Sequence, residues 1–221
     1  MRKALLFSLL LTLTCAVVTE RVAAQGGDPY PAQPAPEPFT GDQLDNLLAP
    51  IALYPDALLA QVLVAATFPD EIDDAARWVR ANGINGVDDQ DWDVSVKAVA
   101  HYPTVLYKMS DRLDWSTSVG QAYAGQSTEV MESVQRLRAM ARSEGNLLTT
   151  PQQEVIDDGS NIEIVPAQAQ VIFVPVYDPM VIYSRRVFYN GGYGGFWSFG
   201  VGFPIGAWLS YDMDWRQRHV I

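Results

Sequence analysis

The sequence contains very little cysteine and histidine: one cysteine and two histidines in 221 residues. Cys15 lies in an N-terminal segment typical of a secretory leader, so we expect the mature chain to have no cysteine. That expectation excludes disulfides, thiol catalysis and Cys-based zinc sites. A Ser-His-Asp arrangement would have to use His101 or His219. We interpret His101 as a loop or core histidine.

Basic residues are also scarce. Fifteen lysines and arginines stand against 26 aspartates and glutamates, a formal net charge of −11. Nucleic-acid binding requires basic surface, so the charge argues against a nucleic acid as partner. No glycine-rich phosphate loop follows a strand, which argues against a nucleotide as cofactor. At 48% hydrophobic residues, the chain is too apolar to be wholly disordered.

Residues 1–24 have the features of a signal peptide. Arg2 and Lys3 precede an apolar run, and small residues at Val22-Ala23-Ala24 predict cleavage after Ala24. We therefore expect an exported protein of the periplasm or outer envelope. A retained N-terminal anchor is a second interpretation. Lipidation of Cys15 is a third, although Thr14 is bulky for the position before a lipidated cysteine.

Residues 25–39 are predicted to form a linker, because five prolines within ten residues favour extended polyproline II structure. Helical signals begin at Thr40, where Thr40 and Gln43 match a capping box. Apolar spacing typical of helices then continues through residues 40–145, with Pro50 expected to kink or shorten the first helix. The predicted helices start near residues 40, 56, 69, 93, 103, 114 and 127.

The pattern changes at residue 146. Residues 155–156 and 162–165 flank an Asp-Gly turn signal and predict a β-hairpin, and residues 171–174 predict a third strand. We expect this β segment, residues 146–184, to pack on the helical domain. The predicted fold class is α+β, mainly α: a multi-helix bundle, a short antiparallel β segment and a C-terminal tail over residues 185–221.

The tail combines glycine with large aromatic side chains. Seven of the 16 glycines lie between Gly191 and Gly206, a composition that does not predict an ordinary amphipathic element. An exposed aromatic stretch is costly, so we expect it to fold back on the domain, pair with another chain or lie at a membrane interface. The candidate interaction residues are Tyr193, Phe196, Trp197, Phe199, Phe203 and Trp208.

Acidic pairs provide the only candidate catalytic groups. Glycoside hydrolysis uses two carboxylates about 5–10 Å apart in unlike environments. Adjacent acids on a helix point in different directions, so most of these pairs are better interpreted as helix starts and a turn. They are Asp70/Glu71, Asp73/Asp74 and Asp157/Asp158.

Two further groups suggest ion binding only weakly. Asp89, Asp91 and Asp93 alternate as at the start of an EF-hand loop, but the glycine and the final glutamate of that loop are missing; we interpret Asp93 as a helix cap. His219 with Asp212 or Asp214 is a poor ligand set. We expect no cofactor and no metal.

Basic side chains cluster at one place in the helical region, at Arg136, Arg138 and Arg142. We interpret them as a polar helix face, with cations near the negative C-terminal end of the helix dipole.

Three segments together resemble the bacterial domain of unknown function 3300 family. They are Leu44–Gln61, Met109–Trp115 and Val174–Pro179. The resemblance covers roughly residues 40 to 184 and implies an exported protein of Gram-negative bacteria. Because the family has no established activity, the resemblance assigns no site residues.

We therefore predict a non-enzymatic envelope protein, a scaffold or interaction module. Its aromatic tail or an apolar groove would contact an envelope protein or a membrane surface. The alternative is a cell-envelope hydrolase that uses paired carboxylates, and a third class is a periplasmic metal or calcium binder.

Overall fold

The computed structural model describes residues 37–184 and 197–221. The predicted signal peptide and almost all of the predicted linker therefore lie outside the described residues, as do Tyr193 and Phe196. The described chain is mainly α with a small β part, which confirms the predicted fold class.

Its helices are α1 (Gly41–Leu48), α2 (Asp56–Ala65), α3 (Pro69–Asn82), α4 (Val94–Ala100), α5 (Pro103–Ser110), α6 (Leu113–Gly125), α7 (Ser127–Ser143) and α8 (Pro179–Ile182). Its strands are β1 (Gln153–Asp157), β2 (Ile162–Pro166), β3 (Val171–Tyr177), β4 (Trp197–Pro204), β5 (Met213–Asp214) and β6 (His219–Val220).

Local capping signals set several helix ends as predicted. The Thr40 and Gln43 side chains form a reciprocal capping box at the start of α1. Asp93 caps α4 by accepting a hydrogen bond from the amide of Ser95. At the end of α3, Gly83 adopts φ +74°, a conformation that favours glycine.

Helix α2 occupies the centre of the bundle. Leu58, Leu59, Val62 and Leu63 are completely buried, and so is the polar Gln61. The sequence predicts a single apolar stripe on α2. In the structure nearly all sides of α2 are buried, as expected for a central helix. Gln61 meets this environment by donating a hydrogen bond to the carbonyl of Tyr211, 2.9 Å away.

The predicted hairpin is present, and the third strand pairs with the tail. β1 and β2 are antiparallel, with Gln153 opposite Pro166 and Asp157 opposite Ile162. β3 instead forms a separate antiparallel pair with β4, and this pairing has an irregularity between Phe173 and Pro175. The tail thus contributes an ordinary strand, which its glycine content did not predict.

One buried ion pair connects α2 to α7. Arg138 is completely buried and its Nη1 lies 2.7 Å from Oδ1 of Asp56. Asp56 also accepts hydrogen bonds from Nε1 of Trp215 at 2.7 Å and from the amide of Ile164 at 3.3 Å. Burial raises the pKa of Asp56, and Arg138, Trp215 and Ile164 act in the opposite direction.

The interpretation of Arg138 as part of a polar helix face is wrong. Arg136 and Arg142 do form exposed ion pairs, with Asp45 and Asp157 respectively. Arg138 points to the side of α7 opposite Arg136, because two residues along a helix correspond to about 200° of rotation. It contacts the face of Trp215, 4.8 Å from the ring centroid.

Removal of the buried arginine tests this ion pair. Arg138→Met leaves the carboxylate of Asp56 buried without its cation, so we expect the free energy of unfolding to fall by about 3–5 kcal/mol. Arg136→Met, two residues away, removes only an exposed pair and should cost less than about 1 kcal/mol. Urea denaturation of both variants measures the difference, and equal losses would contradict a structural role for the buried pair.

Candidate functional site

A cavity of about 310 Å³ lies between α5, the turn before α2 and the β3–β4 sheet. Most of its lining is apolar, with a lysine, a threonine and two tyrosines contributing polar groups. The lining residues are Tyr54, Thr104, Lys108, Val174, Pro175, Val176, Tyr177, Gly200, Val201 and Phe203.

Helix and strand geometry both contribute to this cavity. Thr104 and Lys108 are four residues apart on α5 and therefore share one face of the helix. On the sheet side, the β3–β4 register shifts so that Gly200 and Val201 lie opposite Val174. A bulge of this kind bends a strand and interrupts its pairing, and here it forms one wall of the cavity.

Among the residues that the structure describes, Lys108 is the only cation that lines the cavity. Its Nζ donates hydrogen bonds to the carbonyl of Pro50 at 2.8 Å and to the hydroxyl of Tyr54 at 3.1 Å. Burial, together with the nearby charge of Arg112, lowers the pKa of Lys108 to about 8. None of the ion pairs formed by the described residues includes Lys108.

Neutral hydroxyls surround the same turn. Tyr177 and Tyr183 each donate to the carbonyl of Ala49, at 2.9 and 2.8 Å. Burial raises the pKa of Tyr54, Tyr177 and Tyr183 above the usual tyrosine value. These tyrosines therefore remain uncharged at neutral pH and do not compensate the lysine.

The turn itself, Ala49–Pro55, is held by side chains from distant elements. Arg138 donates to the carbonyls of Ala52 and Tyr54, at 2.9 and 3.0 Å. Tyr177 accepts from the amide of Leu53 at 3.3 Å. Lys108 and the tyrosines bind the remaining carbonyls described above. These contacts fix the position of Tyr54, the residue of this turn that lines the cavity.

Four of the six candidate interaction residues fall within the described chain, and each packs against another ring. Trp197 stacks on Tyr177 with centroids 5.5 Å apart, and Phe199 meets Trp197 edge to face. Phe203 contacts Tyr102, and Trp208 stacks on His101 at 3.9 Å. Of the four, Phe203 lines the cavity.

The exposed apolar side chains near the cavity are aliphatic residues that the sequence analysis did not single out. Val176 and Val201, both in the cavity lining, are 60% and 71% exposed. Lys108 was missed as well. A usable signal existed, since it is one of only three lysines in the chain and follows the apolar run Val105-Leu106-Tyr107.

The acidic pairs serve structural contacts and lie outside the cavity. Glu71 accepts a hydrogen bond from the amide of Asp93 at 2.6 Å, while Asp73 and Asp74 both pair with Arg77.

Asp157 pairs with Arg142 at 2.9 Å. Backbone amides of Asn161 and Ser160 lower the pKa of Asp158. The acids of the hairpin are thus engaged in an ion pair and a turn.

Candidate metal ligands are likewise not brought together. His101 interacts with Asp88, 2.9 Å from Nε2 to Oδ1, and His219 lies opposite Asp214 in the β5–β6 pair. Within residues 37–184 and 197–221 there is no group of three or more His, Cys, Asp or Glu side chains placed to hold a metal ion.

Comparison with known proteins identifies the family. The model of a family described as protein of unknown function (DUF3300) matches residues 40–220. The chain belongs to the DUF3300 family. The matched range contains the residues that line the cavity, Arg138 and the C-terminal strands β4, β5 and β6.

One curated relative is similar over much of the DUF3300 region. It is the uncharacterized protein YacH of Escherichia coli (strain K12), 33% identical over 186 residues. The match covers 66% of this chain and 30% of the relative, so the chain spans less than a third of that protein's length. No solved structure matches the chain. Among the described helices, none has the length and apolar character needed to cross a membrane.

The lowered pKa of Lys108 predicts a specific pH dependence. When folding lowers a lysine pKa, the unfolded chain binds the proton more tightly, so the free energy of unfolding rises with pH between the two values. Relative to Lys108→Met, we expect the wild-type protein to gain stability between about pH 8 and the ordinary value of 10.5. Urea titrations at several pH values in this range measure the gain. A difference that is constant with pH would contradict the burial of a charged Lys108.

Proposed function

We propose that this protein is a non-enzymatic interaction module of the bacterial cell envelope. Its contact surface is the cavity together with the outer face of the β3–β4 sheet. The observation that carries the proposal is the exposure of Val176 and Val201 beside an apolar cavity. Contiguous exposed apolar surface is typical of protein interaction sites.

The sheet supports the same proposal. Within the described residues β3 and β4 form a two-stranded sheet, so each strand has an outer edge without a partner strand. Such edges bind extended segments of other chains by adding a strand. An envelope protein that presents an extended apolar segment is therefore the partner we propose.

A membrane surface is the second possible contact. The formal charge of −11 disfavours adsorption to anionic lipid, and the described candidate aromatics are packed against other rings of the domain. These observations favour a protein over a lipid surface.

Export is part of the proposal and rests on the sequence. The basic start, apolar run and small residues before position 25 support a signal peptide. The protein would then act in the periplasm or at the outer envelope of a Gram-negative bacterium.

The alternative of a hydrolase with paired carboxylates gains no support from the described residues. No carboxylate lines the cavity, and the paired acids form caps, turns and exposed ion pairs. A hydrolase needs two acids that converge on a substrate.

Site-specific photo-crosslinking in intact cells tests the interaction surface. A photoreactive amino acid replaces Val201 in one variant and Val94 in a matched control, a valine on α4 that is 49% exposed and outside the cavity. We expect a discrete protein adduct from position 201 and none from position 94. Combining the position-201 probe with Val176→Asp should remove the adduct, because a charge would disrupt the apolar contact.

Equal adducts at the two positions, or none at either, would contradict the proposed surface. Adducts to lipid at position 201 would instead identify a membrane contact.

A further inference from the structure

Lys108 lines the cavity and has one N–H donor that the described hydrogen bonds do not use. A lysine ammonium carries three N–H donors, and the described contacts of Nζ use two, to Pro50 and to Tyr54. Both acceptors are neutral. The positive charge is therefore partly buried, and no carboxylate among the described residues forms an ion pair with it, in a chain that contains 26 acidic residues.

A cation in this position is unfavourable for folding alone. Removal of a charge from water costs free energy unless an opposite charge or several hydrogen bonds replace the water. Several exposed arginines of the same chain do have such partners, for example Arg80 with Asp111 and Arg218 with Glu132. The missing partner at Lys108 is the feature that an anionic ligand would supply.

The remainder of the cavity is suited to hydrocarbon. Val174, Pro175, Val201 and Phe203 provide its walls, and a Cβ at Gly200 would meet no atom within 4 Å. The volume of about 310 Å³ lies at the lower end of the range for small-ligand sites, about 300–1,000 Å³. The ligand should therefore be small and mostly apolar.

We propose that the cavity binds a small monocarboxylate with a short hydrocarbon chain. The carboxylate accepts a hydrogen bond from Nζ of Lys108, with the hydroxyl of Thr104 one helical turn away on the same face. The hydrocarbon chain lies against Val174, Val201 and Phe203. This inference goes beyond the proposed function, since it adds a small-molecule ligand in the cavity to the protein partner proposed for the sheet.

Calorimetry with octanoate and octanamide tests the proposal on the purified full chain. The two compounds have similar size and differ in charge. We expect octanoate to bind on the order of tenfold more tightly at neutral pH, because a hydrogen bond to a charged group contributes about 1.5–3 kcal/mol. Lys108→Met should reduce octanoate binding to the octanamide level. Lys97→Met, which changes a lysine outside the cavity, should leave it unchanged.

A second variant tests the location of the hydrocarbon chain. Gly200→Leu places a side chain in open space at the cavity wall, so it should weaken both compounds without unfolding the protein. Circular dichroism verifies that each variant is folded.

A measurement on the unsubstituted chain makes the test independent of variants. Uniform ¹³C and ¹⁵N labelling lets NMR follow the Cε and Nζ of each lysine while its three N–H donors stay intact. Octanoate should raise the pKa of Lys108 and leave the Lys97 signal unchanged, while octanamide should affect neither.

Equal affinity for octanoate and octanamide, or an unchanged Lys108 pKa in saturating octanoate, would overturn the proposal. These experiments use no partner protein, and the crosslinking experiment uses no added carboxylate. Failure of either one is therefore distinguishable from failure of the other.

Discussion

The ion pair between Asp56 and Arg138 is the interaction on which the rest of the structure depends. It joins the first turn of the central helix to α7, to the start of β2 through Ile162 and Ile164, and to the C-terminal region through Trp215. A buried ion pair contributes little to stability relative to apolar packing, but loss of one partner is costly. Its role here is to fix which segments meet at the centre.

The same arginine connects the fold to the cavity. Arg138 binds two carbonyls of the turn that precedes α2, and Lys108 binds a third from the opposite side. Tyr54 binds both cations: its backbone carbonyl accepts a hydrogen bond from Arg138, and its hydroxyl accepts one from Lys108. The carboxylate of Asp56 pairs with Arg138, whereas no described carboxylate pairs with Lys108. This difference distinguishes the structural centre from the candidate binding site.

Much of the fold could be predicted from local signals. The capping box at Thr40, the proline at position 69 and the Asp93 cap depend on neighbours along the chain, so the sequence contains them directly. The burial of Arg138 could not be predicted in this way, because its partner is 82 positions away and the apolar environment comes from β2 and Trp215. The expectation of an exposed arginine came from its charge and from its place near the C-terminal end of the helix dipole.

The candidate site was less predictable than the fold for the same reason. Lys108 matters because a turn, a helix and a bulged strand meet around it, and none of these contacts is local. The glycines of the tail suggested irregular structure, yet residues 197–204 form a strand because β3 offers a pairing edge. The sequence indicated Phe203 through its aromatic ring. Val201 has no comparable signal in the sequence, and only its exposure at the bulge of the folded sheet identifies it.

Amide hydrogen exchange tests most directly the central claim that the C-terminal region is part of the folded domain. The account predicts that amides paired in β3–β4 exchange slowly, together with those of α2 and with the amide of Ile164 beside Asp56. The amides of residues 206–208, which lie in no strand and donate none of the described backbone hydrogen bonds, should exchange faster. Rapid exchange throughout residues 197–220, with α2 still protected, would contradict the account.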